Sequence, residues 1–195
     1  HGGYVITGNK ELNGLSMGAL GNGTTIDHVE CYAIADDGFE FFGGTVNTKY
    51  LVSAFCLDEE FDIDQGYRGK SQFWFGIHPK NYSGQFGGEW NGEPNGLAVS
   101  NTPLAQFKIY NMTLVGSGPD SALRVRDYAS PSVYNSVFTE FRTTGLRADE
   151  PGRAFFLERG DAFLDVRHRA HGEDAPRIHL VRLHGVVGAG HAPQH

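Results

Sequence analysis

The sequence predicts an all-β chain wound as a parallel β-helix, and three observations carry that prediction. A phrase of acids and aromatics recurs at a fixed interval: residues 28–44, HVECYAIADDGFEFFGG, lie over residues 50–66, YLVSAFCLDEEFDIDQG, 22 positions on. The local pattern is strand-like, with β-branched and aromatic residues in TIDHVECYAI and TKYLVSAFCL bounded by Gly, Asn and Asp. Helical stripes are missing, and the 27 glycines recur too often for helix interiors. A repeat in the low twenties signals a solenoid, and the LxxLxL ladder of a leucine-rich repeat is not present.

Taken in order, Asp36 matches Asp58, Asp37 matches Glu59, Phe39 matches Phe61, Glu40 matches Asp62, Phe41 matches Ile63 and Gly44 matches Gly66. Equivalent residues of successive coils in a β-helix stack about 4.8 Å apart. Phe39, Phe41, Phe61 and Ile63 are therefore expected inside, with Glu40, Asp62 and Asp64 on one outer face. Residues 77–101, IHPKNYSGQFGGEWNGEPNGLAVSN, interrupt the repeat and read as a Gly- and Asn-rich loop insertion. The repeat resumes at IYNMTL, 109–114, which matches VYNSVF, 133–138, and SALRVRD from 121 echoes in TGLRADE from 144. Coils of about 22–24 residues thus fill a β-helix over residues 1–150. Asn111 and Asn135 are expected to stack as a ladder of amides at a turn.

Cys31 and Cys56 show neither metal spacing nor the coil offset, and read as two buried free thiols. The composition shifts after Pro151. Residues 151–195 lack Asn, Ser, Thr, Tyr, Trp and Lys and hold six of the nine His. This atypical segment reads either as a cap over the open end of the solenoid or as translation out of the reading frame, and its composition favours the second. AFFLERGDAFLDVRHR within it has the makings of one or two strands over the last coil.

A chain of 195 residues suffices for one domain with a real core. The net charge of −7 and the lack of a basic stripe argue against a nucleic-acid partner. No window approaches the roughly 18 apolar residues of a transmembrane helix. The oligomeric state is not legible.

Residues 11–77, ELNGLSMGALGNGTTIDHVECYAIADDGFEFFGGTVNTKYLVSAFCLDEEFDIDQGYRGKSQFWFGI, resemble a family of secreted or surface bacterial proteins. Its hallmark is an NGL, GSGTTID, DDGFEFFGGTVN, DDDFD-D-GY-GK-QF series, and its members are described as lipoproteins or as proteins of unknown function. The resemblance is specific over these residues and looser to about residue 150. It implies a right-handed parallel β-helix of the broad pectate-lyase-like class and export to the cell surface or medium. It also implies coils before the NGL motif, so the chain is expected to start inside the solenoid. It lends no activity.

Eight acids fall between Asp36 and Asp64, with Lys49 the only base among them. Two carboxylates 4–5 Å apart repel by about 1 kcal/mol in water and about 4 kcal/mol at an effective dielectric of 20. Protonation, basic neighbours or a bound cation relieves such a cost. Asp36, Asp37, Glu40, Asp58, Glu59, Glu60, Asp62 and Asp64 form the candidate metal set, with Glu40, Asp62 and Asp64 expected to share an ion. Oxygen-only ligands select a hard cation, so Ca²⁺ is the expected cofactor. Asp58 to Asp64 is not an EF-hand loop, because its sixth place is not Gly. The alternative is a solvated acidic edge that discourages edge-to-edge association.

Asp62 and Asp64, with Lys49, Arg68 and Lys70 placed on flanking turns, form the candidate catalytic set. Acids, Ca²⁺ and a base on one outer face suit cleavage of an acidic polysaccharide by a lyase, and paired carboxylates suit a glycoside hydrolase. Tyr82, Phe86 and Trp90 in the insertion are the candidate sugar-stacking residues. No GxSxG elbow or P-loop is present. The reading is a secreted Ca²⁺-binding β-helix that binds, and as an enzyme cleaves, a polysaccharide or cell-surface glycan. The alternatives are a non-catalytic surface or adhesive module and a metal-dependent hydrolase of small esters or lactones.

Overall fold

The computed structural model describes residues 3, 6–7, 12–79, 86–92, 103–116, 121–142, 145–149 and, as backbone, 178–181. Its strands are β1 (Leu15–Gly18), β2 (Thr25–Tyr32), β3 (Phe39–Phe42), β4 (Asn47–Ala54), β5 (Phe61–Asp64), β6 (Lys70–Ile77) and β7 (Gly88–Asn91). They continue with β8 (Lys108–Tyr110), β9 (Thr113–Val115), β10 (Leu123–Arg126), β11 (Ser132–Tyr134), β12 (Ser136–Thr139), β13 (Leu146–Ala148) and β14 (Ile178–Val181). Short strands alternate between two sheets. One runs β1-β3-β5-β7-β10-β13, and the other carries β2, β4, β6, then β8 with β9, then β11 with β12. All of these pairings are parallel. This is a parallel β-solenoid, consistent with the right-handed β-helix. Among the described residues no helix is long and apolar enough to cross a membrane.

The 22-residue offset is the register of β3 against β5. Phe39 pairs Phe61, Glu40 pairs Asp62 and Phe41 pairs Ile63. All four apolar partners are fully buried. The rings of Phe39 and Phe61 stack at 5.5 Å, and Trp74 lies against Phe61 at 4.5 Å. The polar tips in this interior are satisfied: Trp74 Nε1 donates to Thr48 Oγ1 at 2.9 Å, and the Tyr67 hydroxyl donates to the Val46 carbonyl at 2.8 Å. The matched glycines recur for a backbone reason. Gly44 and Gly66 take φ of +85° and +77°, and a Cβ at either would collide with a carbonyl, of Leu20 or of Pro103.

The second sheet turns a corner in each coil at one left-handed residue. His28, Tyr50, Phe73, Asn111 and Asn135 have φ between 50° and 59° and sit at successive equivalent positions. Past the corner at Phe73, the two halves of β6 hand over to the separate strands β8 and β9. Asn tolerates this conformation, which explains why Asn111 and Asn135 recur. The expected amide ladder does not form: among the described residues no hydrogen bond joins the two amides, and the Asn111 N–H donates to the Tyr134 carbonyl at 2.9 Å.

One further expectation is corrected. The insertion 77–101 is not all loop, because Gly88–Asn91 is a central strand between β5 and β10. Four residues flanked by Gly and Asn give too short a run to show alternation. The expectation of one or two strands in AFFLERGDAFLDVRHR falls outside the described residues, and the strand described in the tail is β14. β14 runs antiparallel against β12 at the sheet edge. Cys31 and Cys56 are buried free thiols, as read from the sequence.

Candidate metal centre

Strand alternation sends Glu40 and Asp62 to the outer side of β3 and β5, because their neighbours are committed to the core. The turns leading into these strands stack by backbone bonds. Leu57 N–H donates to Ile34 O at 2.9 Å, and Gly38 N–H donates to Glu59 O at 2.9 Å. This stacking brings the acids of one coil onto those of the next. Two groups result whose carboxylate oxygens lie within 4.8 Å of one another: Asp36, Asp37 and Asp58, and Asp37, Glu40 and Asp62. Asp37 belongs to both. Its Oδ1 also accepts the Glu59 N–H at 3.0 Å, which fixes its orientation. Asn13 Nδ2 donates to Glu40 Oε2 and to Ser16 Oγ.

Burial and mutual repulsion act in the same direction here. Burial, then Asp58, Glu40 and Asp36, push the Asp37 carboxyl up to about 9. Glu40 rises to about 7 through burial, then Asp64, Asp36 and Asp58. Asp62 is raised well above the carboxylate range by burial, then by Asp37, Asp64 and Glu40. Glu59 is raised likewise by burial and by its contact with Asp58. Around neutral pH such a cluster holds protons or a cation. Its donors are all carboxylate oxygens, which fits a hard divalent ion.

The remaining acids of the expected set have other roles. Glu60 is buried, receives the Ser53 hydroxyl at Oε2 and contacts His78 Nδ1 at 3.0 Å through Oε1. It is a structural acid inside the turn. Glu60→Ala strips Ser53 of its acceptor and His78 of this contact, and is expected to lower the unfolding free energy by about 3 kcal/mol. Urea denaturation reads this, and a loss below about 1 kcal/mol would remove the network from the account of stability. Glu59 accepts the Phe86 N–H at 3.3 Å and so tethers the chain where it enters β7. Asp64 does not join the Glu40–Asp62 group. Burial raises its pKa, Asn91 and Arg126 pull it down, and its Oδ1 is buried without a hydrogen-bond partner.

The expected bases are elsewhere. Lys49 is within β4 and Lys70 opens β6, so both belong to the second sheet rather than to turns beside the acids. Arg68 is exposed in the β5–β6 connection, where its N–H donates to Gly44 O at 2.9 Å. Among the described residues, the cations on this face are Arg124 and Arg126 on β10 and Arg147 on β13. Arg124 pairs Glu89 at 2.7 Å and Asp149 at 2.7 Å, and Arg126 reaches Glu89 at 3.0 Å. These, with Glu89 and Asn13, were missed in the sequence reading. The signal was there in SALRVRD over TGLRADE, which is the register Arg124 to Arg147.

The stacking aromatics are also reassigned. Trp90 is fully buried, with Nε1 donating to Phe61 O at 3.2 Å. Phe86 is buried beneath two guanidiniums, with Arg124 at 5.4 Å and Arg147 at 5.9 Å from its ring centre. Neither ring is open to a sugar. Tyr82 lies outside the described residues.

Fold and site together define a parallel β-helix with clustered carboxylates on the outer side of one sheet. Residues 1–164 match the pectate-lyase-like β-helix domain, and the chain belongs to that family. The match continues past residue 150, into the segment of altered composition. No curated protein and no solved structure matches the chain.

Proposed function

We propose that the protein is an exported Ca²⁺-binding β-helix that engages a polysaccharide. The observation that carries the reading is the pair of carboxylate groups joined at Asp37. Asp36, Asp37, Glu40, Asp58 and Asp62 would hold the ion, and no His or Cys is among them. Oxygen donors in this number suit Ca²⁺ better than a softer metal. Bound there, the ion would supply positive charge to offset a carboxylate of an acidic sugar. Family membership supports the glycan ligand and export, by analogy of fold.

Binding without cleavage is the second reading, in which the ion only stiffens the coils. It is favoured by the placement of Lys49 and Lys70 on the other sheet, which leaves no lysine base beside the acids among the described residues. Thermal melting in Ca²⁺ against EDTA tests the cation. A ligand at 100 times its Kd adds about 2.7 kcal/mol of stability, so a clear rise in Tm is expected. Asp37→Asn is expected to abolish the rise. An unchanged Tm in both conditions would remove the metal from the proposal.

A further inference from the structure

The two lysines that left the acidic face lie together in a groove of about 390 Å³ across the second sheet. Asp27, Asn47, Lys49, Lys70, Gln72 and Tyr110 are among the residues that line it. Lys108 is in register with Lys70 on the next strand. Three of the five lysines of an acidic chain are thus gathered here, and none is in an ion pair among the described residues. The acid of the groove, Asp27, is in register with Lys49 on the adjacent strand, and its Oδ1 lies 3.1 Å from His28 Nδ1. Asn47 Oδ1 accepts the Lys70 N–H at 2.9 Å and holds that wall in place.

Aromatic faces run alongside. Lys49, Gln72, Tyr110 and Tyr134 occupy one column of successive coils, and the two tyrosine rings stack at 4.8 Å. At the neighbouring corner His28, Tyr50 and Phe73 form a continuous ring stack, with centroids 4.5 Å and 5.2 Å apart. Tyr50 is 43% exposed and Phe73 40% exposed. Rings with an apolar face and polar neighbours suit sugar rings, and ammonium groups without partners suit anionic substituents. Three cations in a chain of net charge −7 do not make a nucleic-acid footprint.

We propose that this groove is a second glycan-binding site, which takes a chain of sugar rings bearing carboxylate or sulfate groups. The proposal rests on the glycan reading above and adds a contact on the sheet that the acids do not occupy. Titration calorimetry of the full chain in EDTA tests it, with oligogalacturonate as the carboxylate probe, dextran sulfate as the sulfate probe and neutral dextran as control. At least one anionic probe is expected to bind, more weakly at high salt, and neutral dextran is not. Lys49→Gln with Lys70→Gln, and separately Tyr110→Ala, are expected to weaken binding about tenfold or more, equal to about 1.4 kcal/mol. Unchanged melting curves would show these variants to be folded. Binding that requires Ca²⁺ and is lost in Asp37→Asn, but not in the groove variants, would overturn this inference and leave the glycan reading standing. No binding of either anionic probe, with or without Ca²⁺, would overturn both.

Discussion

In EDTA, the melting temperature is expected to fall as pH rises from about 5 to about 9, the reverse of ordinary acid denaturation. The ordinary Asp and Glu values of 3.8 and 4.5 apply to the unfolded chain, whereas the folded protein holds Asp37 at about 9 and Glu40 at about 7. Between these limits the folded state binds more protons than the unfolded state, so stability declines with increasing pH. Their contribution is fully present below the unfolded values and is lost as pH passes through the folded ones. The charges that face Glu40 are Asp64, Asp36 and Asp58, and those that face Asp37 are Asp58, Glu40 and Asp36, all of which raise the pKa. Ca²⁺ should restore the Tm at pH 8, because it takes the place of the protons. Asp37→Asn should raise the Tm of the metal-free protein at that pH while removing the response to Ca²⁺. A metal-free Tm that stays level or climbs between pH 5 and 9 would refute the burial argument for these carboxyls.

Phe61→Ala is expected to cost about 3–5 kcal/mol, read as a lower urea midpoint with little change in slope. Phe61 is fully buried and sits between Phe39 at 5.5 Å and Trp74 at 4.5 Å, so its removal opens a hole shared by successive coils. Domains are stable by about 5–15 kcal/mol, so this single ring carries a large share. The neighbours are themselves rings held in stacks, and they collapse poorly into such a space. A loss under about 1.5 kcal/mol would show that the coils do relax around it.

These two effects come from the part of the chain that was most legible. The repeat fixed Phe39 over Phe61 and Glu40 over Asp62 because a parallel coil turns sequence spacing directly into contact. Where the spacing failed, so did the reading. Trp90 belongs to a strand of four residues that lacks a repeated partner phrase, and it was placed in a loop when it is core. Lys49 and Lys70 are near the acids in sequence, yet a coil carries residues a few positions apart to different sheets. Glu60 stands beside Glu59 in the chain but points to Ser53 and His78, an inward turn that no periodicity records. Asn111 and Asn135 were rightly paired, though for backbone conformation rather than for amide bonding.

Because Asp37 is common to both carboxylate groups, the two are not separate binders. An ion held by Asp36, Asp37 and Asp58 changes the charge offered by Asp37, Glu40 and Asp62, and the converse holds equally by linkage. Cation binding at one group would therefore alter the affinity of the other, and the five carboxylates would act as one linked unit. Asp37 is the ligand common to both groups, while Asp36 and Asp58 also act on Glu40 through space, so any such linkage belongs to the cluster as a whole.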